Sequence, residues 1–241
     1  MHYIKYGSSK KFIVFLHGWG ADKNSFLWLK EQFCDEYSLV FVDFAGFGES
    51  PEPSTAFSVF DYVNELKVIL DKFEIEDLIF VAHSFGGRVA IKFLFFYQYL
   101  FNVVALCLVD AAGVLPRRTL NYHFKVFKYK FVKKLSKKFP IFSKRLNGFG
   151  SSDYKCLTPV MKQTFIKVVN EDLTCYLKFL SCKTLIVWGS KDRDTKPYMA
   201  KILNKSIKNS KLVIFRGAGH FSFLEKKEDF VIVLDTFLKN L

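Results

Sequence analysis

Short runs of apolar residues alternate along the chain with longer stretches whose apolar positions recur every three or four residues. Lys11 to Leu16, reading KFIVFL, is too short for a helix of its own and too continuously apolar for a surface strand, so it predicts a strand buried on both faces. Phe26 to Phe33 predicts the helix after it, and Leu39 to Phe44 the next strand. Val59, Tyr62, Val63, Leu66, Ile69, Leu70 and Phe73 fall on one side of a helix. Leu78 to Ala82 and Val103 to Val109 read as strands, with a helix from Val89 to Leu100 between them. Thr184 to Trp188 and Lys211 to Phe215 add two strands, and a helix from about Lys227 to Leu238 closes the chain. This alternation predicts an α/β architecture: a mostly parallel central sheet flanked by helices.

One interruption breaks the rhythm. From about Val114 to Ser181 there is no strand-like run, whereas Leu120, Phe124, Phe127, Phe131, Leu135 and Phe139 recur at helical spacing. Thr158-Pro159 then pairs an N-cap residue with proline at the first helical position, predicting a second helix to about Asn170. A helical insertion between strands reads as a cap over the strand ends. The expectation is one domain, residues 1–241, with the cap at 114–181 inserted in it.

Composition narrows the function classes. The apolar stretch Phe93 to Val109 is broken by Gln98 and Asn102 and falls short of a membrane span, so no stable membrane insertion is expected. The five cysteines are odd in number and have no CxxC spacing, which speaks against a disulfide framework and a zinc site. With no apolar signal segment near Met1, a cytoplasmic location is expected. The net charge of +13 accompanies a general richness in Lys, Phe, Ile, Leu and Asn, the bias of A/T-rich codons, and does not by itself predict nucleic-acid binding. Its distribution is more specific: Arg117 to Arg145 holds a dense run of Lys and Arg without one Asp or Glu. Such a run is a solvated cationic face, a docking surface for an acidic carrier protein or anionic substrate, or a contact with an anionic membrane.

Four segments carry candidate chemistry. In Leu78-Ile79-Phe80-Val81-Ala82-His83-Ser84-Phe85-Gly86-Gly87 a strand runs into a turn of small residues around Ser84, and a helix follows. A serine hydroxyl attacks a carbonyl only when it projects from such a turn with a base beside it. His17-Gly18-Trp19-Gly20 follows an early strand, and the Trp19 and Phe85 N–H groups are candidate oxyanion donors. Asp192, in Trp188-Gly189-Ser190-Lys191-Asp192, and His220, in Gly217-Ala218-Gly219-His220, each sit on a loop after a strand, where ligands bind in open α/β sheets. Asp110 also ends a strand and competes with Asp192 for the acid's role, with Asp194 a third choice. His17 and His83 are read as structural. Gly46-x-Gly48 lacks the third glycine and the downstream acid of a dinucleotide site, and the histidines show no metal-ligand spacing, so no cofactor or metal is expected.

Taken together, HGWG, the Asp43 to Ser50 turn, AHSFGG, WGSKD and GAGH resemble the α/β-hydrolase superfamily, in family order and over almost the whole chain. Ala82 stands where the usual G-x-S-x-G has its first glycine. The resemblance implies an eight-stranded mostly parallel sheet with a helical cap, His2 to Tyr6 being the remnant of the first antiparallel strands. It implies Ser84 as nucleophile, His220 as base and Asp192 as orienting acid, acting on a carboxylic ester through an acyl-enzyme intermediate. Phe124, Phe127 and Phe131 would line the acyl pocket. A narrower similarity, to the pimeloyl-carrier-protein methyl esterases, makes a carrier-protein-linked acyl methyl ester an alternative substrate. A C–C bond hydrolase would use the same triad, and a non-catalytic binding protein on this fold is disfavoured by a complete triad.

Overall fold

The computed structural model describes residues 1–117, 154 and 156–241. Its centre is a seven-stranded sheet: β1 (His2–Tyr6), β2 (Lys11–Leu16), β3 (Ser38–Asp43), β4 (Asp77–His83), β5 (Val103–Val109), β6 (Lys183–Gly189) and β7 (Ser210–Phe215). The spatial order is β1-β3-β2-β4-β5-β6-β7, parallel throughout except that β1 runs antiparallel to β3. Where the family resemblance implied eight strands, the described residues form seven, and β1 alone represents the antiparallel opening.

Alternate residues of each strand feed two cores, as expected of strands buried on both faces. Phe12, Val14, Leu16, Phe80, Leu106, Leu108, Ile186 and Trp188 pack with the helices α3 (Val59–Leu70) and α4 (Phe85–Tyr97). Ile13, Phe15, Phe41, Ile79, Val81, Cys107 and Val187 pack with Phe26 and Phe33, and with Phe230, Leu234 and Leu238 of the C-terminal helix, Lys227–Leu238. The helix expected over Phe26 to Phe33 is instead two short pieces, α1 (Asn24–Leu27) and α2 (Lys30–Phe33). Leu29 N–H donates to Phe26 O and Gln32 N–H to Leu29 O; this i→i+3 tightening turns Phe26 and Leu29 to the same core. α3 starts on a capping box, Ser58 and Asp61 each accepting the other's N–H.

Thr158 caps α5 (Pro159–Asn170) by accepting the Met161 N–H, as its sequence predicts. A helix not expected from periodicity, α6 (Pro197–Ser206), packs against β6. The helix expected through Phe124, Phe127 and Phe131, and the basic run beyond Arg117, lie outside the described residues. No helix among the described residues is long and apolar enough to cross a membrane.

The register decides where the site forms. Leu16 lies opposite Ala82, His83 opposite Val109, Val109 opposite Val187, and Gly189 opposite Phe215. The carboxyl ends of β2, β4, β5, β6 and β7 therefore finish along one edge, and the residues that follow each of them share one crevice.

Candidate active site

Ser84 occupies the single residue between β4 and α4, with φ 46° and ψ −109°. A left-handed φ costs a non-glycine residue about 1–3 kcal/mol and persists only where the surroundings hold it. Here the Ser84 N–H donates to Val109 O, and its carbonyl accepts from Gly87 N and Ala112 N. The glycines after it permit the tight approach of α4. A Cβ on Gly86 would lie 2.2 Å from the Leu16 carbonyl oxygen, and one on Gly87 2.6 Å from Ala111 Cβ.

Across the crevice, His220 Nε2 lies 3.0 Å from Ser84 Oγ and His220 Nδ1 lies 2.9 Å from Asp192 Oδ2. Asp192 is buried, and its Oδ1 accepts the N–H groups of Asp194 (2.8 Å) and Thr195 (3.0 Å). The Thr195 hydroxyl is 2.7 Å from Asp192 Oδ2 and 2.9 Å from the Asp110 carbonyl, so its one proton serves either. Burial would raise the Asp192 pKa, but the His220 and Thr195 hydrogen bonds outweigh it and hold the carboxyl below its ordinary value. Burial would likewise lower that of His220, but the hydrogen bond to Asp192 and its charge hold the imidazole above 6.5. Hydroxyl, imidazole and carboxylate in series can pass the serine proton to His220 and stabilise the imidazolium that results.

The other polar residues at the strand ends act on main chain. His83 Nε2 donates to the His220 carbonyl at 2.8 Å; desolvation pushes its pKa down to about 3, so it is neutral. His17 donates from Nδ1 to Gly18 O (2.7 Å) and accepts the Phe44 N–H at Nε2 (3.0 Å), with burial lowering its pKa to about 4. Asp110 does not hydrogen-bond to His220. Its Oδ1 accepts the Gly189 N–H (2.7 Å) and its Oδ2 the Ser222 N–H (3.0 Å), which ties together the loops that carry Asp192 and His220. Full burial drives its pKa up to about 7 despite those bonds.

Phe85 is the first residue of α4, so no carbonyl of that helix accepts its N–H. Trp19 packs edge-on against Phe47, Phe85 and Phe165, which holds the turn after β2 beside Ser84. Trp19, Ser84 and Phe85 border a cavity of about 240 Å³ whose walls include Arg88, Val114, Phe165, Val168 and Met199. Phe165 and Val168 come from α5, so the described part of the insertion does cover the crevice. Thr195, Arg88 and these α5 residues were not singled out by the sequence. Thr195 had a signal in its spacing, three residues after Asp192, and Arg88 in lying one helical turn after Ser84. A larger open groove of about 870 Å³, lined by Lys183, Lys208, Val213 and Phe237 among others, shares no residue with this cavity.

Among the described residues, two groups bring possible metal-ligand atoms within 4.8 Å of one another: His2 with Asp43 and Glu49, and Asp192 with Asp194 and His220. The first already contains a cation, since Lys23 Nζ pairs with both carboxylates. Asp43 also accepts the backbone N–H groups of Lys23 and Glu49, so the Asp43 to Ser50 turn is a structural knot. In the second group Nδ1 of His220 is engaged by Asp192.

Residues 13–232 match the Alpha/beta hydrolase family. The chain belongs to that family. As a member it is a hydrolase. It is 26% identical to the AB hydrolase superfamily protein YisY of Bacillus subtilis, over 90% of this chain and 87% of that one. To a pimeloyl-[acyl-carrier protein] methyl ester esterase of Legionella pneumophila it is 27% identical over 99% of both chains. Among solved structures, an esterase from Exiguobacterium antarcticum superimposes with a TM-score of 0.76 at 25% identity, over 99% of this chain and 95% of that one.

Proposed function

We propose that this hydrolase cleaves carboxylic esters through an acyl-enzyme intermediate, with Ser84 as nucleophile, His220 as general base and acid, and Asp192 as the residue that orients His220. The observation that carries this reading is the unbroken series Asp192 Oδ2, His220, Ser84 Oγ, with steps of 2.9 and 3.0 Å, ending on a serine held at φ 46°. As Ser84 Oγ attacks the ester carbonyl carbon, its proton moves to His220 Nε2. The charge then on the carbonyl oxygen is met by the Trp19 and Phe85 N–H groups. The C–O bond to the alcohol breaks as Nε2 protonates the leaving oxygen. Water, deprotonated by the same nitrogen, attacks the acyl-serine, and the acid departs as Ser84 recovers its proton. Residues 114–181 act in this reading as the cap of one domain.

The carrier-protein-linked methyl ester is a second reading of the substrate. Identity of 27% along the full length of the Legionella pneumophila esterase favours it, as does the basic run from Arg117 to Arg145. Labelling with a fluorophosphonate, with turnover of 4-nitrophenyl esters of graded chain length, tests the main reading. Wild type is expected to label once and to hydrolyse short esters, and Ser84→Ala to do neither while staying folded. Labelling that persists in Ser84→Ala moves the nucleophile elsewhere.

A further inference from the structure

Arg88 has no task in the chemistry just described, yet it borders the same cavity. It lies on α4 four residues after Ser84, on the same face and roughly 6 Å further along the helix. Only 5% of it is exposed. Its guanidinium donates from Nη1 to the Glu171 carbonyl at 2.7 Å and, more weakly, from Nη2 to the Val169 carbonyl at 3.5 Å. Both acceptors lie at the end of α5, and both are neutral. The nearby carboxylate of Glu171 is taken by Lys92 Nζ, one turn further along α4. Among the described residues no acid forms an ion pair with Arg88, and two of its five N–H donors account for its hydrogen bonds.

Burial draws the Arg88 pKa down to about 10, although the nearby charges of Glu171 and Asp172 act to raise it. Pinning the end of α5 uses two of the donors and sets the cation at the negative end of that helix, which leaves three N–H donors over. Trp19, Phe85, Val114, Val168 and Met199 supply apolar wall around it. The acid on that wall, Asp194, is exposed, where water screens its charge.

We propose that Arg88 is the receptor for a carboxylate at the far end of the substrate's acyl group, so that the site is built for half-esters of short dicarboxylic acids. This rests on Ser84 being the nucleophile. The cavity of about 240 Å³ is about eight times one water's share of liquid volume, about 30 Å³, which is room for a short acyl chain. A glutaryl group fits within that volume. With the ester carbonyl at Ser84, the distal carboxylate meets the guanidinium N–H groups that α5 does not use, in a charge-assisted hydrogen bond.

The test compares the 4-nitrophenyl half-ester of glutaric acid with uncharged 4-nitrophenyl pentanoate. Wild type is expected to prefer the half-ester in kcat/KM. Arg88→Gln should lower the half-ester to pentanoate ratio by about 10- to 150-fold, the range of a charge-assisted hydrogen bond, mainly through KM. Arg88→Lys, which keeps the charge, should restore part of it. In parallel, calorimetry should find one-to-one binding of glutarate to Ser84→Ala, weakened by a similar factor when Arg88→Gln is added. Wild-type preference for pentanoate overturns the proposal even if Arg88→Gln fails to fold. So does an unchanged ratio in a folded Arg88→Gln, which leaves Arg88 as a pin for α5. Arg88-dependent glutarate binding by a protein that turns over neither ester would keep the anion site and reject the hydrolytic assignment of Ser84.

Discussion

Asp192→Asn should cost this enzyme about 10⁴-fold in kcat, and the hydrogen bonds around the carboxylate say why. Oδ1 accepts two backbone N–H groups, those of Asp194 and Thr195, whereas Oδ2 faces His220 Nδ1. The asparagine must therefore keep its oxygen at Oδ1 and place its NH₂ against His220. An NH₂ there donates to Nδ1, which moves the imidazole proton to Nε2, the nitrogen facing Ser84 Oγ. In that tautomer His220 cannot accept the serine proton. Restoring the competent tautomer sets two buried donors face to face, at about 1–3 kcal/mol each, or about 30-fold to more than 10⁴-fold in population. Loss of the carboxylate's stabilisation of the imidazolium adds to this. The upper end agrees with the loss of about 10⁴-fold for the same change in an unrelated Ser-His-Asp triad.

Asp110→Asn is the control. Its two oxygens each accept one backbone N–H and neither contacts His220, so either amide orientation strands one donor. The expected effect is a loss of about 1–3 kcal/mol of stability. For a chain of this size that lowers Tm by about 2–12 °C, with kcat within about tenfold of wild type. Steady-state turnover of a short 4-nitrophenyl ester and thermal unfolding by circular dichroism measure both variants. A nearly silent Asp192→Asn beside an inactive, stable Asp110→Asn would refute the reasoning.

In the proposed mechanism His220 acts as base only when unprotonated, and its pKa is held above 6.5, so kcat/KM should fall as pH drops through an apparent pKa above 6.5. A limb near pH 5 in wild type would contradict that geometry. His17 and His83, held neutral to about pH 4 and about pH 3, take up protons on unfolding. Their folded-state values lie below 6.5, so stability declines as pH falls below about 6.5, by at most about 1.4 kcal/mol per pH unit for each. Asp110, raised to about 7, and His220, held above 6.5, act in the opposite direction over part of that range. Urea unfolding at pH 7 and pH 5 should show the decline, and His17→Asn should flatten it; an equally steep dependence in the variant assigns it to other groups. Gly86→Ala places a methyl 2.2 Å from the Leu16 carbonyl, so α4 must move. A loss of about 3 kcal/mol or more in urea unfolding is expected, and an unchanged midpoint would show that the contact relaxes freely.

Much of the candidate site's geometry was legible in the sequence because its signals are local. A buried strand announces itself by continuous apolar residues, and a loop after such a strand in a parallel sheet must open at one edge. Ser84, Asp192 and His220 each followed a strand of that kind. The role of Asp110 was not legible. Following β5, it has the same local appearance as Asp192, and the two are distinguished only by which main-chain groups the loops bring to them. Arg88 was hidden for a related reason. Its position on the helix could be read, but its burial against α5 and its place on the cavity wall depend on where α5 ends in space. The break between α1 and α2 and the helix α6 were missed because packing against the sheet, not periodicity, defines such short elements.

The strand-end residues divide by what they hold. Ser84 and His220 are separated by 136 positions in the chain, yet Oγ and Nε2 must sit within a few tenths of an ångström of hydrogen-bond distance. Side-chain contact between two loops does not by itself set that precision, since each loop could shift. Here the loops are held by their main chains: the His220 carbonyl by His83, the Gly189 and Ser222 N–H groups by Asp110, and the Gly219 N–H by Glu225. His17 does the same for the turn that carries Trp19, bridging Gly18 O and Phe44 N. Each of these polar side chains, three of them buried, holds main chain that carries a residue of the proposed triad or oxyanion hole. Arg88 differs from all of them, because besides holding main-chain carbonyls of α5 it borders the cavity beside Ser84.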